Sequence, residues 1–252
     1  MRLESSFIQI PGVGERTERT LWTNGIVHWE DAADATVIGP SRREQIEAFV
    51  AEARDELAAG NVAYFADGLP SSSRWRLAET FRNGVTALDI ETTGLSQTTD
   101  RVTTVSLHGP AGTRTLVRGR DLSAGRLAAE LEDVDLLITY NGSSFDLPFL
   151  ERDLDTTIDV PHLDLMYPCR RLNWTGGLKA VEHHLGIERE LPTVDGREAV
   201  RLWHRYENGD RDALDRLITY NREDVRTLLP IVDRLVAALD EVVYRPHLPS
   251  DR

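Results

Sequence analysis

Residues Val85 to Glu91 carry the plainest strand pattern in the chain. Val85, Ala87, Leu88 and Ile90 are apolar on both parities, as in a strand buried on two faces at the centre of a sheet. Thr92-Thr93-Gly94 then turns the chain. Arg101 to His108 alternates, Gly109-Pro110-Ala111-Gly112 marks a turn, and Thr113 to Arg118 returns, which predicts a hairpin. Ser123 to Glu132 has helical spacing, Asp135 to Asn141 reads as a fourth strand and Val160 to Met166 as a fifth. Everything after about Gly176 reads as helices. The longest, roughly Asp210 to Leu239, buries a stripe of Leu217, Leu228, Ile231 and Leu235. This order predicts an α/β domain with a five-stranded mixed sheet, the first strand central, flanked by helices.

The N-terminal third has no such alternation. Phe7, Ile8 and Ile10 lead into the tight turn Pro11-Gly12-Val13-Gly14, and a short helix follows with Leu21 and Trp22 on its apolar side. Ser41-Arg42-Arg43-Glu44 reads as a capping box opening a helix that Gly60 closes, with Ile46, Phe49, Val50, Ala53 and Leu57 on one face. Leu69-Pro70-Ser71-Ser72-Ser73 is the best boundary signal. The expected organisation is a small all-α domain over residues 1–68 and the α/β domain over residues 69–252.

Composition narrows the classes. A chain of 252 residues that is 40% hydrophobic can bury a sizeable core, and no apolar run approaches the ~18 residues of a membrane span. The N-terminus lacks a signal peptide's apolar region, and the lone cysteine, Cys169, fits a reducing compartment, so a cytoplasmic location without membrane attachment is expected. Cys169 has no neighbours at zinc-ligand spacing. The net charge is −13, and Lys179 is the only lysine among 29 basic residues. An acidic surface normally argues against nucleic acid. Abundant acids with almost no lysine also resemble proteins of salt-accumulating microbes. At molar salt a Debye length of ~3 Å lets such a surface approach a polyanion. A chain of that kind is expected to need high KCl for stability.

Three groups of residues carry candidate chemistry. Asp89 and Glu91 point to one face of their strand and Ile90 to the other. Two adjacent buried carboxylates raise each other's pKa, an objection that a divalent cation removes; the plainer alternative is that the strand ends and both acids meet water. Asn141-Gly142-Ser143-Ser144-Phe145-Asp146 follows the fourth strand, and Asp146 stands where a helix begins, so helix capping and a place beside Asp89 and Glu91 are both open. Asp224 falls on the buried stripe of the long helix, with Tyr220 one turn before it. An aspartate there needs a partner, either an arginine or a metal ion.

Together, Asp89-x-Glu91, Asn141-x3-Phe145-Asp146 and Tyr220-x3-Asp224 resemble the three motifs of the DEDD superfamily of 3′-to-5′ exonucleases, tyrosine branch. The chain is also similar to the YprB-type ribonuclease H-like proteins over most of its length. That likeness includes Thr92 to Leu95, Thr139 to Gly142, His162 to Leu165, Gly176 to Lys179 and the Gly12-Val13-Gly14 turn, which resembles a helix-hairpin-helix module. The resemblance implies a ribonuclease H-like fold in which Asp89, Glu91, Asp146 and Asp224 hold two Mg²⁺ or Mn²⁺ ions and Tyr220 orients the attacking water. It implies nucleic-acid contacts at Thr92, Thr93, Gly94, Leu95, Asn141 and Lys179, and phosphate contacts through the amides near Gly12 and Gly14. The activity implied is removal of nucleoside 5′-monophosphates from single-stranded 3′ ends, DNA before RNA. A structure-directed endonuclease and a non-catalytic nucleic-acid-binding module are the alternatives.

Overall fold

The computed structural model describes residues 1–34 and 36–249. These fall into two compact units, one of Met1–Arg82 with Asp233–Arg252 and one of Asn83–Val232.

The first unit is helical. Helices α1 (Glu15–Thr23), α2 (Pro40–Ala58), α3 (Val62–Gly68) and the short α4 (Leu77–Thr80) enclose a core that fully buries Phe7, Trp22, Phe65 and Trp75. A buried ion pair fixes the entry to the glycine turn. Glu18 accepts from Arg76 Nη1 and Nη2 at 2.6 and 2.9 Å, and from the backbone N–H groups of Phe7 and Ile8 at 2.7 and 3.0 Å. Ahead of the turn lies a single 3-10 turn at Leu3–Ser5, and Gly14 caps α1. Gly12 has φ +79°, a conformation open to glycine, and its carbonyl accepts from Arg42 Nη1 at 2.6 Å. The predicted capping box at Ser41 does not form. Helix α2 starts two residues earlier, with Gly39 as N-cap and Pro40 at the first position, because proline's fixed φ suits that position and its missing N–H is not needed there.

The second unit is the α/β domain. Strands β1 (Val85–Thr92), β2 (Val102–Gly109), β3 (Gly112–Val117), β4 (Leu136–Thr139) and β5 (His162–Asp164) form one sheet in the order β3-β2-β1-β4-β5. The first strand is central, as the pattern predicts, and it runs antiparallel to β2 and parallel to β4. Leu88 and Ile90 face a core with Val105, Leu107, Leu116 and Leu137, closed by α5 (Ala124–Leu131) and α6 (Asp146–Leu154). Three helices follow the short α7 (Met166–Arg171): α8 (Leu178–His184), α9 (Gly196–Glu207) and α10 (Arg211–Leu239). Leu202, Trp203, Leu214, Leu217 and Tyr220 join Val117 in a second core. Among the described residues, no helix is long and apolar enough to cross a membrane.

Strands β4 and β5 are shorter than the apolar runs predict, and Asp164 gives the reason. It accepts from the N–H groups of Asn141, Ser143 and Met166 and from the Ser143 hydroxyl, at 2.7 to 3.1 Å. These bonds pull the chain out of the ladder just after each strand. Asn141 takes a left-handed φ of 68°, and a Cβ on Gly142 would stand 2.1 Å from Thr139 Oγ1, so only glycine fits there.

Candidate active site

The site lies at the C-terminal end of β1. A register shift between Glu91 and Thr92 bends the strand as it leaves the sheet. Asp89 is half-buried and Glu91 buried on the face opposite Ile90. Asp224 arrives from α10, where the buried stripe turns it toward the sheet. One carboxylate oxygen from each of Asp89, Glu91 and Asp224 lies within 4.8 Å of the others. Asp146, at the first position of α6, accepts from the Ile90 N–H at 3.2 Å. It therefore sits against the same strand, and its charge is felt at both Asp89 and Glu91.

Electrostatics makes the cluster unstable as four bare anions. Burial, then Asp224, Asp146 and Glu91, push Asp89 well above the usual carboxylate range. Burial, Asp224 and Asp146 do the same to Glu91. Burial raises Asp146 to about 7 against the backbone hydrogen bonds it accepts. Burial raises Asp224 to about 6, offset by Arg189. An all-oxygen, anionic, mutually repelling donor set suits a hard divalent cation, so the residues present fit such an ion.

Tyr220 is 6% exposed. Burial and the charges of Asp224, Glu91 and Asp89 raise its phenol pKa further, so it is no base near neutrality. Lys179 places Nζ 5.0 Å from the centre of the Tyr220 ring and donates to the Val194 carbonyl. Thr92 to Leu95, with Glu91, Phe145, Arg197 and Val200, line a cavity of about 540 Å³ beside the acids. Gly94 is required there, since a Cβ would lie 2.5 Å from Asp100 Oδ2. Asp100 in turn holds the loop by accepting from Ser96 N–H at 2.8 Å and Thr93 Oγ1 at 3.2 Å. Leu95 is left 84% exposed at its tip. Asn141 is engaged through its backbone with Asp164, and Gly12 and Gly14 belong to the first unit.

Two residues stand in the site that motif spacing does not single out. Asn221, fully buried, donates from Nδ2 to Asp89 Oδ2 at 2.7 Å and accepts from Thr104 Oγ1 at 2.9 Å, so it orients Asp89 from β2 and α10 together. Its position three residues before Asp224, on the same helix face, is the signal that was available. Arg189, from the segment between α8 and α9, donates to Asp224 Oδ1. An Asn221→Ala substitution is expected to lower metal-free stability by ~1–3 kcal/mol, because it leaves Thr104 and Asp89 without a buried partner. Urea unfolding with a chelator present measures it.

A model of the RNase_H superfamily matches residues 87–236. No curated protein matches the sequence. Among solved structures, the chain is similar to the family B DNA polymerase of the archaeon Pyrobaculum calidifontis, at 19% identity and TM-score 0.51 over 66% of this chain. The match spans 26% of the polymerase, and it shows the fold alone. Weaker matches include Brucella melitensis NrnC with bound Mg²⁺, at 17% identity and TM-score 0.44 over 68% of this chain and 81% of that one. The EXO domain of Aedes aegypti Nibbler matches at 15% identity and TM-score 0.48 over 69% of this chain and 89% of that one.

Proposed function

This chain belongs to the RNase_H superfamily, and from that premise we propose that it is a metal-dependent 3′-to-5′ exonuclease that releases nucleoside 5′-monophosphates, acting on DNA before RNA. The observation that carries this reading is the meeting of Asp89, Glu91 and Asp224 oxygens within 4.8 Å of one another at a buried strand end. With Asp146 they would hold two Mg²⁺ or Mn²⁺ ions. When bound, the ions supply a water of lowered pKa and neutralise the leaving oxygen.

The chain's own residues do the positioning. Asn221 fixes the rotamer of Asp89, which would be one of the ligands. The Tyr220 hydroxyl stays protonated and orients the attacking water by hydrogen bonding. The cavity beside Glu91 receives the terminal nucleotide, with Leu95 and Phe145 against the base and the Thr92 to Gly94 backbone near the sugar and phosphate. Lys179 and Asn141 would contact the strand beyond it. In the first unit, the Gly14 N–H ahead of α1 is suited to a phosphate of a longer nucleic acid without need of a positive side chain, whereas the Val13 N–H already donates to the Ile10 carbonyl at 2.9 Å.

The reading is tested with one oligonucleotide labelled at either end and incubated with Mn²⁺, as single-stranded DNA and as matched RNA. Early mononucleotide from the 3′ label and a descending ladder from the 5′ label are expected, faster on DNA. Internal fragments as first products would mean an endonuclease, and intact strands would mean a binding module.

A further inference from the structure

The acidic cluster contains a cation of the chain's own. Arg189 is 6% exposed at its side chain, although it lies on an irregular segment. Nη1 donates to Glu182 Oε2 at 2.9 Å, Nη2 donates to Asp224 Oδ1, and the guanidinium carbon sits 5.3 Å from the centre of the Tyr220 ring. Glu182 is itself buried and is held from its other side, since Oε1 accepts from Thr227 Oγ1 at 2.5 Å. The remaining donor is different. Arg189 Nε is buried with no hydrogen-bond partner, and Glu223 Oε2 is 3.6 Å away, beyond bonding distance. Glu223 meanwhile ties the same segment down by accepting from the Glu190 and Leu191 N–H groups.

Buried donors are nearly always satisfied, so the orphaned Nε marks an arrangement with a better-bonded neighbour close by. A shift of under about 1 Å toward Glu223 would give Nε an acceptor of normal length. The same shift would draw Nη2 off Asp224, while Glu182 and the free lone pairs of Glu223 keep the guanidinium paired in the interior. A divalent ion at Asp224 would drive the shift, because it would repel a guanidinium bonded to the same carboxylate.

Building on the metal-site reading above, we propose that Arg189 is a displaceable internal counter-ion. It holds Asp224 when no divalent ion is bound and retreats onto Glu223 and Glu182 when one binds. Metal occupancy and the position of the Ile187 to Leu191 segment are thereby coupled, and the cluster binds metal less tightly than its four acids alone would.

The test needs no turnover. In the full chain labelled with ¹⁵N-arginine, the Nε–H resonance of Arg189 is the one missing from R189Q. Titration with Mg²⁺ is expected to move it downfield and slow its exchange with water, as Nε gains Glu223. A resonance that stays in place overturns the proposal and makes Arg189 a fixed clamp on Asp224. Mn²⁺ isotherms form the second arm. R189Q is expected to bind about tenfold more tightly than the natural chain, as one competing charge is removed. Because R189Q leaves the buried Glu182 without its cation, E182Q/R189Q is measured beside it, with the same expectation, and equal or weaker binding in the folded variants counts against the proposal. Asp224→Asn separates the two readings. If it binds Mn²⁺ like the natural chain, the metal site itself is wrong; if it loses binding while the Arg189 resonance of the natural chain stays still under Mg²⁺, only the counter-ion role is rejected.

Discussion

If the proposed cation site is right, Asp89→Asn is expected to lower kcat by ~10³-fold or more, because a ligand at its centre would be worth several kcal/mol of transition-state stabilisation. The same substitution is expected to raise the thermal midpoint of the metal-free protein. Asparagine keeps the shape and still offers a carbonyl oxygen to Asn221 Nδ2, so the hydrogen bond seen at 2.7 Å has a successor. What it removes is a charge that burial and three neighbouring carboxylates all oppose. A gain of ~1–3 kcal/mol follows from relieving such a group, or about 2–4 °C per kcal/mol in a chain of this size. Stability lost for function in this way is common at active sites. Asp224→Asn gives a useful contrast. It should abolish activity equally, but it breaks the ion pair with Arg189 and leaves that guanidinium half-served, so no gain in midpoint is expected. Scanning calorimetry in chelator, with nuclease assays on the same samples, measures both. Retained activity in Asp89→Asn, or a lowered midpoint, would show that Asp89 is a structural group.

How much of this was legible in the sequence depends on which residues are asked about. Strand alternation alone set Asp89 and Glu91 on one face and Ile90 on the other, because a period of two leaves no choice once the strand is recognised. Helical spacing put Asp224 on the buried stripe, and left an arginine or a metal ion as its partner. The structure gives the arginine, Arg189, and turns the same carboxylate toward Asp89 and Glu91. Asp146 was readable as a helix start, yet its hydrogen bond to Ile90 depends on β4 lying beside β1, which is a tertiary fact. Arg189 had no signal at all. It sits between helices, where no hydrophobic period reports the path of the chain, and its burial is set by Glu182, Glu223 and Asp224 from two other elements. The Ser41 capping box failed for a local reason, since Pro40 just before it is a stronger helix starter.

The stability of the metal-free protein is expected to fall as pH rises from 5 to 8, and Mn²⁺ or Mg²⁺ is expected to reverse the fall. The sign follows from the direction of the shifts. Carboxyls whose folded pKa is raised leave stability intact below the unfolded value near 4 and reduce it as pH climbs through the folded value. Here those values are about 6 for Asp224 and about 7 for Asp146, with Asp89 and Glu91 also raised. For Asp146 alone the shift corresponds to roughly 4 kcal/mol, and the four acids release their protons as a coupled set rather than one by one. Above pH 5 the cluster therefore sets the slope. A divalent ion binds only the folded site and competes with protons for the same oxygens, so its effect is small at pH 5 and grows toward pH 8. At a hundredfold excess over Kd it adds about 2.7 kcal/mol. Thermal midpoints measured across this range, in chelator and in Mn²⁺, give two curves that should meet in acid and separate in base. Parallel curves would mean that the ion binds without displacing protons, and a midpoint in chelator that rises with pH would mean that the four acids do not share one buried pocket.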